Sequence, residues 1–158
     1  MESNTKIVKK IFVTGASGFV GKRFVELFAK KYSLRLLIRK PELLDKTITR
    51  SQNIKVLKGD LLNLKELEES MKGCCAIVHI GGATPNRAYA EGNFNATTKG
   101  TENIISAAKK NHIKRLIFIS SNCVEFSKQG PYAQSKIIAE NAVKKSGLFW
   151  TILRPSTI

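Results

Sequence analysis

The amino-acid sequence predicts an α/β domain, an open, doubly wound parallel sheet with helices on both faces. Three observations predict it. Apolar runs rich in β-branched residues recur six times along the 158 residues. Helical patterns separate them, as βαβ units require. The first run leads straight into VTGASGFVGK (13–22), with glycines at 15, 18 and 21 where a strand should hand over to a helix.

The six runs are KKIFVTG (9–15), LRLLIR (34–39), IKVLKG (54–59), AIVHIGG (76–82), RLIFISS (115–121) and WTILRP (150–155). Continuous apolar strands of this type belong to a sheet buried on both faces. The first helix is expected from Phe19 to Lys31, with Val20, Phe24, Leu27 and Phe28 on one side. A short charged helix follows from Leu64 to Lys72. The next, from about Phe94 to Asn111, carries Ile104, Ile105 and Ala108 at helical spacing. The last runs from Tyr132 to Lys145, with Ile137, Ile138, Ala142 and Val143 in the pattern. The stretch from Pro41 to Asn53 is the least regular. There is no solenoid repeat, low-complexity tract or linker, so residues 1–158 read as one domain.

Composition narrows the function. The chain is 42% apolar and 25% charged, and no stretch approaches the roughly 18 apolar residues of a membrane span. MESNTKIVKK lacks the apolar core of a secretory signal, which makes the cytoplasm the expected compartment. Cys74, Cys75 and Cys123 fit no metal spacing and suit a reducing environment as free thiols. The adjacent pair is expected to be small buried side chains, and no metal site is expected. His79, inside a strand, and His112, at a helix end, read as structural.

The net charge of +15 is unusual. The excess falls in scattered pairs, Lys9-Lys10, Lys30-Lys31, Lys109-Lys110 and Lys144-Lys145. Without a long basic block, an RGG tract or interleaved aromatics, these read as solvated helix faces, and no nucleic-acid partner is expected.

The glycine stretch gains meaning from its setting after a strand and before a helix. Gly15 would make the tight turn, Gly18 would admit a pyrophosphate, and Gly21 would let helix and strand pack closely. The helix N-terminus would offer unpaired N–H groups to the phosphates.

The spacing T-G-x-x-G-x-x-G from Thr14 to Gly21 resembles the short-chain dehydrogenase/reductase superfamily, and the resemblance extends over nearly the whole chain. GDL (59–61), IVHIGGA (77–83), GTENIISAAKKNHIKRLIFISS (100–121), the Y-x-x-x-K of Tyr132 and Lys136, and LRPSTI (153–158) are similar to its extended branch. That branch includes sugar-nucleotide epimerases, dehydratases and related reductases. The resemblance implies a Rossmann domain whose dinucleotide site uses Gly15, Ser17, Gly18, Phe19, Val20 and Gly21 at the phosphates. It adds Arg39, Asp60 and Leu61 at the adenosine end, and Gly81, Gly82, Ala83, Lys136 and Pro155 along the rest. Catalysis would fall to Ser121, Tyr132 and Lys136.

Tyr132 and Lys136 also make chemical sense alone. Residues four apart share a helix face, and an ammonium beside a phenol favours the phenolate. A lowered Tyr132 is therefore expected, able to exchange the proton of a carbinol as hydride moves. By the resemblance, Ser121 fits the role of binding the substrate oxygen, with Ser120 on the opposite face; either serine taken alone could instead cap a turn at the strand end. Its 11-residue distance to Tyr132 is shorter than in sugar epimerases, which counts against an epimerase's substrate loop.

Leu37-Ile38-Arg39-Lys40 ends the second strand without an acid before Glu42. An acid there would hold a ribose diol and an arginine a 2′-phosphate, so NADP is preferred to NAD. Where extended members commonly carry asparagine before the Gly-Thr of the fourth helix, this chain has Thr97, with Asn95 close by. In those members a substrate lobe begins after the R-P step, whereas this chain finishes at Ile158. It is expected to be the N-terminal cofactor half of an extended enzyme, poorly active alone. The alternative is a catalytically silent dinucleotide-binding module with a sensing or structural role. A sugar nucleotide, a steroid- or flavonoid-like ketone and a quinone-linked substrate all remain open. Apolar surface left without a lobe would favour homo-oligomers.

Overall fold

The structure is a computed structural model, and it describes residues 9–44, 48, 51–83 and 94–156. Thr157 and Ile158, and part of the irregular stretch before Asn53, lie outside the described residues. Six strands alternate with helices: β1 Lys10–Thr14, α1 Phe19–Phe28, β2 Ser33–Ile38, β3 Ile54–Lys58, α2 Leu64–Ser70, β4 Ala76–His79, α3 Thr98–Lys110, β5 Arg115–Ile119, α4 Pro131–Lys144 and β6 Phe149–Leu153. Short 3-10 turns at Pro41–Leu43 and Asn122–Glu125 follow β2 and β5.

The strands are parallel and lie in the order β3-β2-β1-β4-β5-β6. Strand order reverses between β1 and β4, so a crevice opens there beyond the carboxyl ends of the strands, where doubly wound sheets bind ligands. Strand alternation sends Val13, Leu34, Leu36 and Ile38 to one face, where Val25 and Ala29 of the α1 segment cover them. Phe12, Leu37, Ile77, Leu116 and Phe118 point the other way, against Leu67, Ile104, Ala108, Ala139 and Val143.

The structure corrects the reading in four places. The buried line of α1 and its end is Gly21, Val25 and Ala29, while Leu27 is exposed. The helix is turned because Gly21 has to face the loop after β1. On α4 the buried line holds Lys136 and Glu140, and Ile138 is exposed, so polar requirements override apolar spacing. Cys74 is buried but Cys75 is exposed, since successive residues entering β4 face opposite ways. β6 forms an edge of the sheet, and its Phe149 and Leu153 are exposed, so the expectation of strands covered on both faces fails there.

Candidate active site

The glycine turn at the head of α1 assigns a separate reason to each glycine. Gly15 has φ +73°, and a β-carbon on it would come within 2.5 Å of the Gly81 nitrogen. A β-carbon on Gly21 would overlap the Gly15 carbonyl oxygen. Both are required by the chain itself. Gly18 is different: its φ is −81°, and an added β-carbon would meet only the Gly15 oxygen, at 3.4 Å. Its own chain does not demand glycine there. Gly18 is also the N-cap of α1, which has no side-chain cap and no acid in its first turn. The helix thus presents bare N–H groups and its positive end beside an exposed Ser17 and Phe19, with Val20 half-buried behind them.

Beneath the turn runs a buried chain of hydrogen bonds that the sequence did not announce. The Gly81 N–H donates to Thr14 Oγ1 at 3.0 Å, and the Thr14 hydroxyl meets His79 Nδ1 at 2.7 Å. His79 Nε2 meets Thr101 Oγ1 at 3.1 Å, and Thr101 donates to the Thr97 carbonyl. This order fixes the proton on Nε2. Burial, aided by nearby Lys136, pushes the His79 pKa down to about 3, so the ring stays neutral. Thr97 Oγ1 in turn accepts from the Ala83 N–H at 2.9 Å. Thr97 therefore braces the segment after β4 in the place where extended relatives commonly have asparagine. Gly81 and Gly82 also have internal reasons to be glycine, because β-carbons there would come within 3.0 Å of Thr14 Oγ1 and Thr97 Oγ1.

At the carboxyl ends of β2 and β3 an open cavity of about 320 Å³ is lined by Arg39, Lys58, Gly59, Asp60 and Glu66. Arg39 and Asp60 are where the sequence placed them. Lys58 was missed, because its closeness to Arg39 follows from its pairing with Ile38, which only the strand register discloses. Asp60 Oδ1 accepts from the Leu62 N–H at 2.9 Å, and Glu66 accepts from the Asp60 N–H at 3.1 Å. Leu61 is buried against Gly100, and its carbonyl takes the Asn103 amide at 2.9 Å. Its side chain belongs to the core rather than to the cavity.

Ser121, Tyr132 and Lys136 meet near the end of β5. Ser121 Oγ caps the turn after β5 by accepting from the Cys123 N–H at 3.3 Å. Tyr132 is half-buried, and Lys136 lies beneath it, 6.0 Å from the ring centroid. Lys136 is 4% exposed and donates to the Ile119 carbonyl at 3.0 Å, with no carboxylate in reach of its ammonium among the described residues. Burial lowers its pKa to about 8, against smaller opposing effects of Cys123 and Glu140. Burial raises the phenol of Tyr132, Cys123 adds to this, and the Ser121 hydroxyl opposes it. The expected lowering by Lys136 is not found, because desolvation of the phenol dominates.

Arg154 and Pro155 of the R-P step serve mainly to hold the site together. The Pro155 carbonyl accepts from the Asn122 N–H at 3.0 Å. Arg154 grips the buried Glu140 with two bonds of 2.8 and 2.6 Å and reaches Glu125 at 2.6 Å. Burial alone would raise the Glu140 pKa. Arg154, Ser120 and Lys144 overcome that and hold it at about 2, although the Ser120 hydroxyl falls short of full hydrogen-bond geometry. A depressed carboxyl stabilises the fold above its ordinary value of 4.5, and that contribution is lost as pH falls toward 2. Glu140→Gln is expected to cost about 2–3 kcal/mol at neutral pH and almost nothing near pH 2. Denaturant unfolding at the two pH values checks this.

A 3-2-1-4-5-6 parallel sheet with an uncapped glycine turn at its switch point defines a dinucleotide-binding α/β domain. Residues 15–158 match the family model described as NAD(P)H-binding, and the chain belongs to that family. It is 31% identical over 116 residues to a 4-hydroxy-2-methyl-3-oxo-4-farnesyl-3,4-dihydroquinoline-1-oxide ketoreductase of Stigmatella aurantiaca, a match covering 73% of this chain and 34% of the other. An uncharacterized sugar epimerase of Bacillus subtilis is 31% identical over 156 residues, covering 92% and 71% of the two chains. A Rossmann-fold NAD(P)-binding family protein of Shigella flexneri superimposes with a TM-score of 0.76 at 25% identity, over 94% of this chain and 67% of that one. With its six motifs, the chain is a Rossmann domain of the extended short-chain dehydrogenase/reductase type. It spans about a third to a half of the length of the first curated relatives it matches. Among the described residues no helix is long and apolar enough to cross a membrane, and no cluster of side chains could hold a metal ion.

Proposed function

We propose that the chain is the NADP-binding, proton-handling part of a reductase that acts on the carbonyl of a small molecule. The observation that carries this reading is Lys136, a lysine buried with no carboxylate partner among the described residues, directly below a half-buried tyrosine. A fold tolerates such a cost where a function needs it. When bound, the cofactor supplies the hydride. Gly18 and the open end of α1 would take its pyrophosphate, while Arg39 and Lys58 would face a 2′-phosphate and Asp60 the adenine side. In its raised state Tyr132 stays protonated at neutral pH, which suits it to give its proton to the carbonyl oxygen. Ser121 would hold that same oxygen, and the Lys136 ammonium would favour the phenolate left behind. This direction makes reduction of a ketone the better match, as does the ketoreductase activity named for the Stigmatella aurantiaca relative. We further propose that the chain is the cofactor-binding half of such an enzyme.

Single-turnover oxidation of NADPH with ketone and sugar-nucleotide substrates tests the chemistry. Turnover is expected to be lost in Tyr132→Phe with NADPH binding unchanged. Turnover by the chain alone is expected to be slow; binding with no turnover even in a longer polypeptide that carries these residues and a substrate lobe would favour the silent module instead. For cofactor choice, Arg39→Asp is expected to move the NADPH-to-NADH affinity ratio by at least about tenfold toward NADH, since a charge-assisted contact contributes about 1.5–3 kcal/mol. Fluorescence titration of both cofactors reads that ratio, and an unchanged value removes Arg39 from the site.

A further inference from the structure

The four dilysine pairs, dispersed in the sequence, meet at one edge of the folded sheet. In a parallel α/β sheet every strand begins, and every helix ends, on the same side. Lys9-Lys10 opens β1, and Lys30-Lys31 follows α1. Lys109-Lys110 closes α3, and Lys144-Lys145 closes α4. The contacts at this edge confirm the placement: the Lys9 carbonyl accepts from Ser33 at the start of β2, and the Lys114 carbonyl accepts from Phe149 at the start of β6. The side is opposite the glycine turn and the candidate active site.

The charge there is barely neutralised. Glu68 and Glu69, at the end of α2, are already paired with Lys110 and Lys72, and Lys144 is paired with Glu140. Lys9, Lys30, Lys109, Lys114, Arg115 and Lys145 are exposed and have no ion-pair partner among the described residues. Lysines at helix ends gain a few tenths of a kcal/mol from the helix dipole, which accounts for single residues but not for a doubled lysine on three helices and a strand. Five inter-strand spacings make this edge about 24 Å wide.

We propose that the amino edge of the sheet is a docking face for an anionic lipid surface. Five of the six unpaired cations are lysines, compact charges that suit a diffuse anionic layer, whereas planar arginine forks would suit phosphate or base recognition. Phe149 and Trp150, at the start of β6, are exposed at the rim of the same edge, where aromatic side chains suit the headgroup boundary. Docked this way, the active-site side faces water and stays open to cofactor.

Vesicle flotation tests the face. The chain is expected to partition onto phosphatidylcholine vesicles containing about a quarter phosphatidylserine at least about tenfold better than onto phosphatidylcholine alone, with the difference shrinking in salt. Lys30→Glu combined with Lys145→Glu should weaken that binding by at least about tenfold. Lys65→Glu combined with Lys128→Glu makes the same charge change near the opposite edge and should leave binding within about twofold. The milder Lys30→Gln, Lys145→Gln chain should show a smaller loss in the same direction, and circular dichroism confirms the fold of each variant. Equal partition onto both vesicles, or equal loss in the two Glu variants, overturns the proposal. So does tighter binding to a duplex or single-stranded oligonucleotide that the Lys30 and Lys145 changes abolish, which would assign the face to nucleic acid.

Discussion

Gly18→Val is expected to raise the dissociation constant for NADPH by about a hundredfold or more while leaving the fold intact. Gly18 has an ordinary extended φ, and a β-carbon on it would meet only the Gly15 carbonyl oxygen, at an ordinary contact distance of 3.4 Å, so the unliganded chain accommodates a side chain. Its stability should fall by no more than about 1 kcal/mol, the scale of a poor N-cap. A valine there would stand over the bare N–H groups of α1, where hydrogen bonds to an ionised phosphate contribute about 1.5–3 kcal/mol each. Two lost bonds suffice for the expected effect. Gly21→Val three residues on should do the reverse, because its side chain would run into the Gly15 carbonyl and prevent the turn from forming. Fluorescence titration with NADPH, beside denaturant unfolding, separates the two. A Gly18→Val chain that bound normally would reduce the turn to a structural device.

Lys136→Met is expected to make the chain more stable and catalytically inert. Burial lowers the lysine from 10.5 to about 8, so below that pH the folded state carries a charge that the unfolded chain holds more easily. The cost is fully present below pH 8 and is relieved as pH rises from 8 toward 10.5. Methionine has similar volume and no charge. At neutral pH it should recover up to about 3 kcal/mol, less about 1 for the lost bond to the Ile119 carbonyl. The advantage should vanish above pH 10. Urea unfolding across this range checks the sign. Destabilisation at neutral pH would make Lys136 a structural strut, whereas stability gained with hydride transfer lost marks a residue kept for chemistry.

The sequence by itself determined the strand–helix alternation and the parallel doubly wound sheet, and it singled out the glycine turn as the candidate phosphate site. Those features are local: a 10-residue stretch carries the turn, and apolar periodicity reports on burial wherever a strand lies inside the sheet. It also marked Arg39, Asp60, Ser121, Tyr132 and Lys136, because each sits at a fixed step from a strand end or within one helix turn. The tertiary structure alone decided what depends on partners distant in sequence. Which face of α1 is buried follows from Gly21 having to meet Gly15 and Ala16. The neutral His79 relay from Thr14 to Thr97 joins three segments far apart in sequence, so no spacing signals it. The raised phenol of Tyr132 reflects burial, which outweighs a lysine one turn away. Scattered lysine pairs become one charged edge only because parallel βαβ winding returns every helix to the same side of the sheet.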